Sequence, residues 1–276
     1  MKRIKPLFDF YINSSTHVAL AVFSMTFVSL LELNLPTDWP LLLFVFFSTI
    51  TGYNFVKYFG MARFHHRQLA RWLKIIQVYS FICFLLMLWF MFQLTTKTML
   101  YIIIFGAITF LYAIPFLPKR FFMDQQKNLR NIGGVKVYVI ALVWAGVTVL
   151  LPVLDNNAFF SIDVWITAAQ RFVLVMLLML PFEIRDLQYD SLKLATIPQK
   201  IGIRNTKIMG VMGAIVFCVL EFFKEELNQK LIALTFVVAC VTLLCIVFSN
   251  RKRSNYYSSF YVESVPILWL ILHFVF

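Results

Sequence analysis

The sequence predicts an all-α, polytopic membrane protein, with about nine transmembrane helices in a single integral domain spanning residues 1–276. Three observations predict it. First, 61% of the residues are hydrophobic and only 14% are charged, whereas soluble domains are about half apolar and about a quarter charged. A chain of this composition cannot cover itself with a water-facing surface. Second, mostly apolar runs of about 17–25 residues recur, the length a helix needs to cross about 30 Å of hydrocarbon. Lipid offers backbone N–H and C=O groups no partner, so such runs must be helical. Third, the basic residues alternate from one set of connections to the other.

Taken in order, the predicted spans are 17–34, 41–59, 75–94, 99–116, 137–153, 163–182, 208–223, 231–249 and 257–276. Tight turns separate the third from the fourth at 93–98, the fifth from the sixth at Asp155-Asn156-Asn157, and the seventh from the eighth at 224–230. The N-terminal segment and the segments 57–74, 117–136, 183–207 and 250–255 carry 21 of the 25 Lys and Arg residues. The opposite connections carry only Lys97, Lys224 and Lys230. Basic loops stay on the cytoplasmic side. The expectation is therefore a multi-pass protein of a bacterial inner membrane, with its N terminus cytoplasmic and its C terminus outside.

The net charge of +12 does not imply nucleic acid as a partner. The cations sit in short loops between apolar runs, where they set topology and meet lipid headgroups. The first apolar run lacks a small-residue cleavage site and is expected to be a retained span. Cys83, Cys218, Cys240 and Cys245 all lie inside apolar runs and have neither metal-site nor disulfide spacing. The basic segments after the fourth and sixth spans are long for a compact bundle, which makes them the place to seek chemistry.

The densest constellation is Glu183, Arg185, Asp186, Asp190 and Lys193. If the helix continued through them, Glu183, Asp186, Asp190 and Lys193 would fall within about 80° of one another. Three carboxylates on one stripe repel unless a cation lies between them, and Mg²⁺ is a hard cation that bridges carboxylates to phosphates. The competing reading is a solvated helix end balanced by Arg185 and Lys193.

Residues 183–202, EIRDLQYDSLKLATIPQKIG, resemble the second aspartate motif of the UbiA superfamily of membrane prenyltransferases. Asp186, Asp190, Lys193, Thr196 and Gly202 stand at the motif positions. The segment 112–152 is also similar, with Tyr112 and Pro115 closing the fourth span, then Lys119-Arg120, then Lys136 leading to Trp144. The resemblance implies a ring of nine helices around a central cavity. It implies Mg²⁺ held by Asp186 and Asp190 with support from Glu183, and as partners an isoprenyl diphosphate and a lipophilic acceptor. Lys119 and Arg120 would act with the two aspartates in catalysis, and Arg130 and Lys193 would bind substrate.

The other half of the family pattern departs. At the end of the second span Asn54 is kept, but Phe55, Tyr58 and Ala62 stand where the first motif has aspartates. Lys57, on the face of Asn54, is the physical alternative: an ammonium can neutralise phosphate as a point charge. Asn54 and Lys57 are thus the expected substrate-binding residues there, the plainer reading of Lys57 being an interfacial anchor. His65 and His66 point about 100° apart on a helix and make a poor chelating pair. Arg171 is expected to reach the membrane surface. Glu263 is expected to face the bundle on the side of Asn255 and Ser259. The leading expectation is prenyl transfer. A non-catalytic relative of the fold that binds lipid or a protein partner is the alternative, and a transporter a weaker third reading.

Overall fold

The computed structural model describes residues 4–64, 71–113, 135–188, 196–254 and 256–276. Among these the secondary structure is helical, without strands. The helices are α1 (Ile4–Asn13), α2 (Thr16–Glu32), α3 (Trp39–Phe64), α4 (Arg71–Met91), α5 (Thr96–Ala113), α6 (Val135–Ala145), α7 (Leu151–Asp155), α8 (Ile162–Asp186), α9 (Ile197–Glu221), α10 (Gln229–Val247) and α11 (Val265–Val275). A π-helical segment, Gly146–Leu150, joins α6 to α7, and a second, Tyr257–Val262, precedes α11.

Seven helical stretches in the described residues are long and apolar enough to cross a membrane. The bent pair α1–α2 makes an eighth if it counts as one span, and Thr96–Phe110 is a shorter apolar helix. The predicted span at 99–116 coincides in its described part with that shorter helix. The protein is therefore compatible with a multi-pass membrane position. Its outer surface agrees: Trp89, Ile103, Met212 and Phe236 are each more than 60% exposed, which water would penalise and lipid does not.

Several hydroxyl groups inside the spans are satisfied within their own helices. Thr26, Ser29, Thr49, Thr148 and Thr242 each donate to the carbonyl four residues earlier, so these five hydroxyls need no partner from lipid. Met25, Val28, Ala141, Leu174, Phe217, Val238 and Trp269, drawn from α2, α6 and α8 to α11, fill the space where those helices meet. Gly146 lets Phe105 of α5 lie against the π segment, with the ring within 2.3 Å of where a Cβ would stand.

The structure departs from the sequence reading in four places. The N-terminal segment forms α1, set at 57° to α2, with Ser15 in the left-handed region at φ 61° between them. The helix of the seventh span begins at Ile197 rather than near 208, so Lys200, Arg204 and Lys207 lie on α9 rather than in a long loop. Gly202, at φ 78° and ψ 163°, breaks that helix near its start. Arg171 does not reach the surface. It is 1% exposed, donates from Nη2 to Ser29 Oγ at 2.9 Å and lies over the Trp269 ring at 4.5 Å. Around it at the same end of the bundle are Glu32, His273 at 3.8 Å from Glu32, and Lys224, paired with Glu221 at 2.9 Å. Gln170 also donates to Glu221, at 2.8 Å. A cation this deep is costly in lipid unless the bundle supplies partners. Burial between three helices, with Glu32 as counter-charge, is the solution taken.

Candidate functional site at the basic end of the bundle

The other end of the bundle carries the C-terminal ends of α3 and α8, the α1–α2 bend and the second π segment. Four of the predicted site residues lie there. Asn54, 3% exposed, donates from Nδ2 to Ser14 O at 2.9 Å and to Ser80 Oγ at 2.8 Å, and accepts from Ser15 Oγ at 2.8 Å. It ties α3 to the α1–α2 bend and to α4. Its amide is engaged in holding these elements together.

Lys57, one turn further, is exposed. Its Nζ donates to Asn13 O at 3.1 Å, and Tyr58 Oη donates to the same carbonyl at 2.7 Å. Asn13 ends α1, where unsatisfied carbonyls and the helix dipole favour a cation. The ammonium keeps two further N–H donors.

Glu183, 2% exposed, accepts from Ile197 N at 3.1 Å. Ile197 opens α9, and its N–H has no acceptor within that helix. The carboxylate therefore caps α9 from across the connection, the favourable sign at a helix N terminus. Asp186 stands in the last turn of α8, the unfavourable end for an acid. Arg185 compensates it, with Nε to Asp186 Oδ1 at 2.7 Å, and its guanidinium reaches on to Ser259 Oγ at 3.5 Å.

α8 ends at Asp186, so of the stripe expected from Glu183 through Lys193 only Glu183 and Asp186 lie on that helix. Glu183 and Asp186 turn to different partners. Among the described residues no group of three His, Cys, Asp or Glu could hold a metal ion. Asp190, Lys193, Lys119, Arg120 and Arg130 lie outside the described residues, as do His65 and His66.

Glu263 is the residue that brings the two predicted halves together. It closes the second π segment, and the charges of Lys57 from α3 and Arg185 from α8 both act on it. It is half-buried. Next to it, His17 is 2% exposed. Its Nε2 faces Phe260 O at 3.0 Å and Ser264 Oγ at 3.2 Å, and its Nδ1 faces Tyr11 Oη at 2.7 Å. A carbonyl only accepts, so Nε2 carries the hydrogen and Tyr11 donates to Nδ1. Glu263 also acts on Tyr11.

The sequence reading missed Tyr11 and His17 as members of this cluster and treated Arg185 only as a counter-charge. The signal available for His17 was an imidazole at the first turn of an apolar span. What it pairs with, 243 residues away at Phe260, no local pattern encodes. Nearby, Tyr256 donates to Asp9, and that bond to a carboxylate holds the phenol above its ordinary range. The cluster thus comprises two cations, two carboxylates and a Tyr–His pair. Comparison of the chain with protein-family models, curated proteins and solved structures finds no match.

Proposed function

We propose that this chain is a UbiA-like membrane prenyltransferase with an altered diphosphate site. The observation that carries the reading is that the charges of Lys57 and Arg185 both act on Glu263 while Arg185 pairs with Asp186, taken with the motif of residues 183–202. In this reading the diphosphate of an isoprenyl donor lies against Lys57 and Arg185. The carbon–oxygen bond breaks, its electron pair leaves with the diphosphate, and the allylic cation alkylates an aromatic or lipid acceptor, which gives up a proton. Charge stabilisation of the leaving group is the main contribution of such a site. Mg²⁺ enters the proposal only through Asp186 and Asp190, where it would share that neutralisation. Lys119, Arg120, Arg130 and Lys193 remain proposed diphosphate contacts. The same reading takes nine spans around a cavity in a bacterial inner membrane, with the N terminus cytoplasmic and the C terminus outside.

The test is binding of an isoprenyl diphosphate to purified protein with and without Mg²⁺. Tight binding that Asp186→Ala abolishes is expected. Binding indifferent to both the metal and Asp186 overturns the reading. A second reading, a non-catalytic UbiA-like protein that binds lipid or a protein partner, is favoured by Asn54 and Glu183. Both first-choice polar groups are engaged in holding helices together. Release of pyrophosphate from any prenyl donor would exclude it.

A further inference from the structure

At the basic end, a cleft of about 450 Å³ opens between α9 and the chain that follows α10. It lies apart from the cluster around Glu263. Lys207, Lys252 and Arg253 line it together with Ser249 and Asn250, and among the described residues no carboxylate lines it. Two of the three cations are held in place by carbonyls at the end of α10. Lys207 Nζ donates to Val247 O at 2.6 Å and Arg253 Nε to Phe248 O at 3.1 Å. The Arg253 guanidinium is further fixed over the Tyr257 ring at 5.2 Å. These bonds leave the guanidinium Nη groups and two ammonium N–H groups of Lys207 as donors in a preset arrangement. Lys252 is exposed and adds a third positive charge.

The surface that leads away from the cleft is apolar. Val247 and Phe248 form part of its wall and are themselves about half exposed. Leu244 continues the strip along α10, and Ile208, Val211, Met212 and Ile215 continue it along α9, at the spacing of one helix face and all at least 40% exposed. A free anion would have use only for the cations. An anionic head with hydrocarbon tails matches both parts, the head above Lys207, Lys252 and Arg253 and the tails along α9 and α10. Basic pockets between membrane helices hold such headgroups.

We propose that this cleft is a binding site for an anionic phospholipid. The test uses the full chain purified in a neutral detergent, with retained lipid measured by native mass spectrometry and stability by the thermal midpoint. Phosphatidylglycerol is expected to remain bound and raise the midpoint, and phosphatidylcholine with the same tails is not. Each charge removed by Lys207→Gln, Lys252→Gln or Arg253→Gln should weaken retention by roughly fivefold. Lys97→Gln, at the opposite end, should leave it unchanged. Lys252→Gln makes no structural hydrogen bond to lose, so it reports on the site even where the combined variant fails to fold. Equal retention of phosphatidylcholine, or full retention by Lys252→Gln, overturns the proposal. So does a midpoint shift from inorganic phosphate as large as that from phosphatidylglycerol, which would make the site one for free anions.

Discussion

Gly202 shows how much a single position in this chain carries. Its φ of 78° with ψ of 163° lies in a region open essentially to glycine alone, and nothing stands within 4 Å of where a Cβ would be. The requirement is therefore one of backbone conformation and not of space. Gly202→Ala is expected to cost about 1–3 kcal/mol, seen as a lowered thermal midpoint in detergent. Gly52→Ala is the control. That site also has open space but sits inside α3 without a positive φ, and the change should be neutral or stabilising by about 0.4–1 kcal/mol. Equal effects at the two sites would show that the break at Gly202 is not held in this conformation. Gly202 was legible in the sequence as the end of a motif. Its reason, a break just inside a helix that starts earlier than hydropathy suggests, was not. Lys200, Arg204 and Lys207 lower the average hydropathy of a stretch that is nonetheless helical.

Among the elements, the turns opposite the basic end are joined by a pair of acids. Asp38 begins α3 by accepting from Leu41 N at 3.1 Å, and Asp155, at the end of α7, accepts from Thr95 N at 2.9 Å. Burial, followed by the hydrogen bond to Asp155, pushes the Asp38 carboxyl up to about 6. The folded state therefore holds this proton more tightly than the unfolded chain, whose aspartates titrate near 3.9. The resulting stabilisation is full below about pH 4 and is lost as the pH rises through about 6. Midpoints measured from pH 4 to pH 7 should fall with rising pH, and Asp38→Asn should flatten that fall. An unchanged slope in the variant would mean the two carboxyl groups do not share a proton. The turn at Asp155 was legible from Asp and Asn between apolar runs, but its pairing with Asp38 was not. Sequence marks where a chain reverses, not which reversals lie side by side. The same limit explains Glu183: three acids at helical spacing suggested one stripe, whereas the first acid turns away to cap α9.

For the whole molecule, the buried charges opposite the basic end join α2, α8, α9 and α11. Removing one member of a buried pair leaves the other without compensation. Arg171→Met should therefore cost about 3 kcal/mol or more, and Glu32→Gln together with Arg171→Met should cost less than the sum of the two single changes. Additive losses in that cycle would show that Glu32 does not balance Arg171. Hydropathy placed Arg171 correctly along its span but gave it the wrong destination, because an arginine near a helix end can also reach water. What keeps it inside is Ser29, 142 residues earlier, and Trp269, far later in the chain.

That arrangement has a bearing on how the protein is made. Helices enter the membrane in the order of synthesis, and α8 emerges well before α11. Until Trp269 and His273 follow, the guanidinium has only the α2 side of its enclosure. A nascent chain stopped between the two helices exposes a lone cation to lipid, so α8 must wait at the insertion site, or beside α2, for a partner that the ribosome has yet to deliver.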